Sequence, residues 1–143
     1  MLNQFRVMRS LLFLSAVSVS VSATSHFKHS LTLRGPPMLV SHSFASPDFG
    51  PAQNTHGCTF TPRVSFLTND LHPTNNWVID IGLAGELLAE VCSRYHLCDL
   101  NQICEGEVTT TEWMAMRIHG DLKQKLTEGG GLQGQREGDG EGE

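Results

Sequence analysis

Three side chains with metal-binding chemistry lie in two segments of the chain: His42, His56 and Cys58. His56 and Cys58 are two residues apart in an alternating polar and apolar run, and residues two apart in a strand point to the same face. If the segment around His42 pairs antiparallel with that run, His42 comes to lie beside them. Imidazole and thiolate are both good zinc ligands. The pattern therefore predicts a Zn2+ site; the alternative is that Cys58 is a small core residue and His56 bonds the loop backbone.

A second group of candidates follows the first predicted helix. A positioned pair such as His96 and Asp99 is what general acid–base catalysis requires, although His96 could instead complement the helix dipole. Glu112 also has two interpretations. It either completes a capping box with Thr109 or projects into a pocket and holds the N–H groups of a ligand.

The elements that must position these residues begin with strands. The pattern predicts one strand over residues 38–44 and a longer one over 58–66, whose apolar residues alternate with polar ones as in a sheet with one buried face. Pro62 cannot donate to a strand ladder, so it indicates an edge position or a bulge. Residues 47–51 and 68–76 are rich in turn-forming residues, and 77–79 are predicted to form a third, short strand.

Two helices are predicted after the strands. Asp80 is a plausible N-cap for a helix over 82–95, whose apolar stripe consists of Ala84, Leu87, Leu88, Val91 and Tyr95. Thr109 and Glu112 have capping-box spacing and open a second helix, in which Ala115, Ile118, Leu122 and Leu126 share a face. The order of elements predicts an α+β domain, with two helices on one face of an antiparallel sheet.

Both ends of the chain differ from this middle in composition. Residues 1–35 form a leader or transit-like segment that fits a secretory signal, an organellar transit peptide or an extension without a function. We therefore expect a cytoplasmic or mitochondrial protein, with secretion as the alternative. Residues 128–143 hold half of the 14 glycines together with acids that supply most of the net charge of -5, and this composition predicts a disordered tail. The domain is placed at 36–127, and nothing indicates nucleic-acid binding or a membrane span.

The four cysteines, Cys58, Cys92, Cys98 and Cys104, have no spacing typical of a disulfide framework. A bridge between Cys98 and Cys104 remains the alternative.

Five segments, at 41–44, 49–53, 56–60, 78–82 and 109–112, together resemble the 6-pyruvoyltetrahydropterin synthase / 6-carboxytetrahydropterin synthase family. The resemblance implies a tunnelling fold in which subunits form rings, usually hexamers, with active sites between subunits. It also implies a zinc-assisted lyase that eliminates triphosphate from dihydroneopterin triphosphate, in tetrahydrobiopterin or queuosine-precursor synthesis. The alternative is an inactive or truncated homologue that binds metal or pterin, or only assembles with other subunits.

The resemblance also assigns roles to single residues. The first two zinc histidines of the family match His42 and His56, and Cys58 stands at the third position. The family's catalytic cysteine falls on Ala52.

Two further parts of the family's pattern lie later in the chain. The Asp-His pair is not reproduced in order, which leaves His96 and Asp99 as substitutes. The pterin-binding segment is kept as Thr110, Thr111 and Glu112. The Gly-rich acidic sequence at the end implies that the last strand of the fold is missing.

Overall fold

The computed structural model describes residues 8–12 and 27–129, and within these ranges the chain forms six strands and three α-helices. The elements are β1 (Met8–Leu12), β2 (His29–Arg34), β3 (Met38–His42), β4 (His56–Phe60), β5 (Pro62–Thr68), α1 (Ile81–Ser93), β6 (Cys98–Asp99), α2 (Leu100–Ile103) and α3 (Thr111–Glu128). A 3-10 turn, Pro47–Gln53, lies between β3 and β4. The predicted α+β class is confirmed.

The strands form two three-stranded sheets, in the orders β1-β5-β2 and β4-β3-β6. The chain passes from one sheet to the other three times, between β2 and β3, between β4 and β5, and between β5 and β6. All pairings are antiparallel except the two-residue pairing of β3 with β6, which is parallel. The sheet that carries β3 and β4 therefore holds the predicted metal ligands, and the other sheet supports it.

The two sheets are tied together where they meet, at Gly35 and Pro62. The Gly35 N–H donates to the Pro62 carbonyl at 2.9 Å. The predicted strand over 58–66 is therefore two strands, because the missing N–H of proline interrupts the ladder. The predicted burial pattern is confirmed, since Phe60, Val64 and Phe66 are buried in the core.

The folded domain begins before the predicted boundary at residue 36. His29–Arg34, which the sequence placed in the leader, pairs with β5 along its whole length. Met8–Leu12 pairs with the other edge of β5. At the other end, α3 continues to Glu128, and no strand follows it up to Gly129, where the described part ends. The remainder of the predicted tail lies outside the described residues.

The predicted third strand at 77–79 is wrong. The His72 ring nitrogen Nδ1 accepts the N–H groups of Thr74 and Asn75, and the His72 N–H donates to the Trp77 carbonyl at 2.9 Å. Asn76 has a φ of 55°, a left-handed conformation that asparagine tolerates better than most residues. Local turn chemistry therefore prevails over the apolar character of a three-residue segment.

The helices close the core over the sheets. Asp80 caps α1 as predicted, accepting the Leu83 N–H at 3.1 Å. The buried residues of α1 are Ala84, Leu88, Val91 and Cys92, and those of α3 are Met114, Ile118, Leu122 and Leu126. Ala115, predicted to belong to the buried stripe of α3, is only half-buried because Met114 occupies the central position.

A polar cluster joins the end of α1 to α3. The Tyr95 hydroxyl donates to Asp121 at 2.7 Å, and Arg117 donates to the same hydroxyl at 3.1 Å. Burial first, and the bond to Asp121 second, raise the pKa of Tyr95 to about 12. Among the helices of the described ranges, none is long and apolar enough to cross a membrane.

Candidate metal centre and its surroundings

The register of β3 and β4 brings the predicted metal ligands together. His42 lies directly opposite His56, and Val40 lies opposite Cys58. The two imidazole rings have centroids 4.6 Å apart, and the Cys58 sulfur lies 3.5 Å from Nε2 of His42. The juxtaposition that the sequence predicted is therefore confirmed.

Both histidines are held through the same ring nitrogen. Nδ1 of His42 lies 3.1 Å from the Thr109 carbonyl and 3.0 Å from the Thr109 hydroxyl. Nδ1 of His56 lies 3.0 Å from the Asn54 carbonyl, which is the loop-backbone bond of the alternative interpretation. A carbonyl can only accept, so these contacts favour a proton on Nδ1 and leave Nε2 as the potential ligand atom. Histidines that bind metals are oriented in this way.

Burial sets the charge state of the centre. His42 is only 4% exposed, and its pKa is lowered, first by burial and second by the neighbouring His56, against opposing effects of the Thr109 backbone and of Asp99. Burial raises the pKa of the Cys58 thiol. The resting centre thus favours a neutral imidazole and a protonated thiol, and the thiol must lose its proton when it binds a metal.

Aromatic rings surround the His42 side chain. Phe44 meets the ring edge-on at 4.7 Å between centroids, and Phe60 lies at 6.2 Å. Phe49, from the 3-10 turn, stacks on Phe44 at 4.3 Å. The same turn is tied to the end of β3 by a bond from the Phe44 N–H to the Ala52 carbonyl. This apolar wall strengthens electrostatic interactions at the centre because it excludes water from that side.

The donors fit zinc in type and partly in position. Tetrahedral zinc binds nitrogen at about 2.0–2.1 Å and sulfur at about 2.3 Å, so two such ligands stand about 3.5 Å apart. The separation of His42 Nε2 and Cys58 Sγ, 3.5 Å, matches this value. Within residues 27–129, however, no group of three or more His, Cys, Asp or Glu side chains is arranged to hold a metal ion. The predicted set of His42, His56 and Cys58 is thus gathered on one sheet but not assembled as a three-ligand site.

The predicted acid–base pair is not formed. Nδ1 of His96 accepts the Leu39 N–H at 3.2 Å, and the His96 side chain is exposed. Asp99 caps the short helix α2 and accepts the Asn101 N–H at 3.0 Å. In the described part of the chain, no hydrogen bond or ion pair joins His96 to Asp99. His96 thus ties the end of α1 to β3, and Asp99 caps its own short helix, which neither the spacing nor the residue types revealed.

The predicted pterin-binding segment lies at the start of α3. Thr110 is the N-cap, and its hydroxyl accepts the Trp113 N–H at 3.3 Å. The predicted capping box of Thr109 and Glu112 is therefore wrong by one residue. Thr111 is half-buried and Glu112 is exposed, so the Glu112 carboxylate is free of a capping role.

Thr109 is the site residue that the sequence analysis missed. Its side chain is fully buried and joins this segment to His42. The sequence pattern assigned Thr109 to the helix cap, but the N-cap is Thr110. The Thr109 side chain is therefore not used for capping and can bond His42 instead.

An open cleft of about 570 Å³ lies along β3, β4 and the segment that follows α1. Its lining combines exposed apolar residues with two thiols and one carboxylate: Leu39, Val40, Ser41, Gly57, Cys58, Thr59, Leu97, Cys98 and Asp99. Cys58 is thus a lining residue of the cleft, while its sulfur lies beside His42. All four cysteines are free thiols, so the alternative bridge between Cys98 and Cys104 is not formed.

Comparison with known proteins identifies the family. A family model described as 6-pyruvoyl tetrahydropterin synthase matches residues 21–136, which is well over half of the chain. The chain belongs to this family. The match extends into both the predicted leader and the predicted tail. The family comprises zinc-dependent lyases that act on pterin substrates as homo-oligomers.

A solved structure shows the same fold. The protein is similar to Caenorhabditis elegans 6-pyruvoyl tetrahydropterin synthase, with a TM-score of 0.59 and 18% sequence identity. The similarity covers 70% of this chain and 81% of the nematode protein. A search of curated proteins found no match.

Proposed function

We propose that this family member is a 6-pyruvoyltetrahydropterin synthase-like lyase that eliminates triphosphate from dihydroneopterin triphosphate. The product would enter tetrahydrobiopterin or queuosine-precursor synthesis. The observation that carries the proposal is the arrangement of His42, whose Nε2 stands at zinc-ligand separation from Cys58 while its Nδ1 is bonded to the threonine segment. This contact would connect the metal centre directly to the start of the substrate-binding segment.

His42, His56 and Cys58 would hold the zinc ion. When bound, zinc supplies Lewis-acid chemistry, which acidifies protons beside the carbonyl and hydroxyl groups of the substrate. Cys58 carries a proton at rest and must release it on metal binding, so zinc affinity should increase with pH.

The start of α3 would bind the pterin. Thr110 and Thr111 present hydroxyls there, and the exposed Glu112 carboxylate can accept two N–H groups of a pterin ring as a charge-assisted pair. Because Glu112 faces solvent in a single chain, we infer that the pocket is completed by a second copy of the chain. Assembly as a homo-oligomer, a hexamer in the family pattern, would supply it.

Metal analysis tests the centre first. Purified protein should contain about one zinc per chain, and His42→Ala should lose it. His29→Ala, which removes a histidine from the other sheet, is the matched control and should keep its zinc. Zinc-free wild-type protein would contradict both the metal centre and the enzyme.

Phosphate release then tests the reaction. Wild-type protein with zinc should release triphosphate from dihydroneopterin triphosphate, and Glu112→Gln should weaken substrate binding because a neutral amide offers one acceptor instead of two. No release by the zinc-loaded oligomer would refute the lyase proposal.

An inactive homologue is the second candidate. Ala52, at the position of the family's catalytic cysteine, favours this candidate. So does the absence of a contact between His96 and Asp99 in the described residues, since each accepts a backbone N–H instead. This candidate predicts a protein that binds zinc and pterin and assembles, without releasing triphosphate.

A further inference from the structure

Thr109 occupies a special position between the helix and the metal centre. It lies directly before the N-cap Thr110, so its hydroxyl is not needed to cap α3. Its side chain is nevertheless fully buried, with no exposed surface. A buried hydroxyl must find a hydrogen-bond partner, and here that partner is the imidazole of His42.

Two acceptor atoms of this one residue face the same ring nitrogen. Nδ1 of His42 lies 3.1 Å from the carbonyl and 3.0 Å from the hydroxyl of Thr109. With a proton on Nδ1, both oxygens can accept it. With the proton on Nε2 instead, the hydroxyl could donate to Nδ1, but the Nδ1 lone pair would face the carbonyl lone pairs at hydrogen-bond distance, which is repulsive, so the carbonyl decides the tautomer.

The rest of the ring has apolar neighbours apart from the metal-ligand side. Phe44 and Phe60 flank it edge-on, and they offer no strong hydrogen bond. Nε2 points to the Cys58 sulfur. The orientation of the ring is therefore fixed by Thr109 at one nitrogen and is open to a ligand at the other.

We propose that Thr109 is a positioning residue, which holds His42 in the tautomer with the proton on Nδ1 and directs Nε2 to the metal position beside Cys58. The proposal rests on the zinc centre of the proposed function. Thr109 belongs neither to the proposed metal ligands nor to the proposed pterin-binding residues. Its role should be measurable as a change in zinc affinity in the absence of substrate.

The first measurement needs no zinc. Ring nitrogen chemical shifts of ¹⁵N-histidine-labelled, metal-free protein, with the His42 signals assigned from His42→Ala, should show the proton on Nδ1 near neutral pH. In Thr109→Val, which removes the hydroxyl at nearly constant volume but keeps the carbonyl, the His42 ring should stay protonated on Nδ1 and lose one of the two contacts that orient it. A wild-type ring protonated on Nε2 would overturn the proposal, whether or not the variant folds.

The second measurement is zinc affinity, determined by competition with a chelator. Loss of a residue that orients a metal ligand typically weakens binding by about 10–100-fold, which is the loss expected for Thr109→Val. Thr109→Ser keeps the hydroxyl and should retain the affinity of the wild type. Thr127→Val is the matched control, because it removes an exposed hydroxyl of α3 that bonds only the helix backbone.

The outcomes separate this inference from the proposed function. If wild type and Thr109→Val bind zinc equally well, the positioning role is refuted while the zinc centre stands. If wild type binds no zinc, the proposed function fails, and the inference fails with it as a statement about metal. The tautomer experiment then still decides whether Thr109 orients His42.

Discussion

Gly35 is the position where a single methyl group should have the largest effect on the sheets. An alanine Cβ there would lie 2.9 Å from Cγ of Pro62 and 3.2 Å from both Cys92 Sγ and Leu88 Cγ. The φ angle of Gly35 is not positive, so an alanine can adopt the same backbone conformation and the cost of Gly35→Ala is steric. The contact falls at the junction of the two sheets, beside the bond from Gly35 to Pro62.

The magnitude follows from these distances. Carbon atoms pack best at about 3.5–4.0 Å, so the buried Pro62 ring must move by more than half an ångström. Overpacking of this kind costs about 1–3 kcal/mol, and the reduced entropy of the unfolded alanine chain returns about 0.4–1 kcal/mol. We expect a net loss of about 1–2 kcal/mol, which lowers the Tm by on the order of 4–16 °C in a domain of this size.

Urea and thermal unfolding measure this loss. Gly85→Ala is the matched control: Gly85 lies inside α1 with open space around its missing Cβ, so the same substitution should stabilise by about 0.5–1 kcal/mol. In a Pro62→Ala background, Gly35→Ala should cost less, because the nearest clashing atom is gone. Equal stability of Gly35→Ala and wild type, or a cost unaffected by Pro62→Ala, would refute the steric argument.

Three further predictions concern the helices and the centre. Because the folded pKa of Tyr95 is about 12 and its unfolded value is about 10, its contribution to stability is complete below about pH 10 and lost as the pH rises toward 12; Tyr95→Phe should remove this dependence in urea unfolding. Asp80→Ala should lower the free energy of unfolding by about 0.5–2 kcal/mol through loss of the α1 cap, whereas Asp80→Asn should leave it nearly unchanged. Ala52→Cys should increase triphosphate release if only the thiol is lacking, with Ala45→Cys as control; unchanged release would favour the inactive homologue.

The parts of the fold with a strong residue pattern could be predicted. Alternation around Phe60, Val64 and Phe66 identified a one-sided sheet, and Asp80 identified the start of α1, because each signal is local and is reinforced by burial. The juxtaposition of His42 with His56 followed from strand pairing alone. Such a pairing depends on the spacing of residues along two strands more than on side-chain contacts, so it can be predicted from sequence.

The errors came from features that the spacing does not encode. His29–Arg34 is a strand, but its composition continued that of the leader, so the pairing with β5 was invisible. His96 and Asp99 have the right types for catalysis and are close in sequence, yet each accepts a backbone N–H instead, from Leu39 of β3 and from Asn101 respectively. The N-cap of α3 is Thr110 rather than the predicted Thr109. This difference of one position places the Thr109 side chain, and not that of Thr110, against His42.

The pairing of β1 with β5 has a consequence for how the chain reaches its final form. Leu11 pairs with Arg63, which lies 52 positions later. The first strand must therefore wait during synthesis until its partner has been made, and its docking closes a long loop. We expect this step to come late in folding, after the β2–β5 pairing is in place.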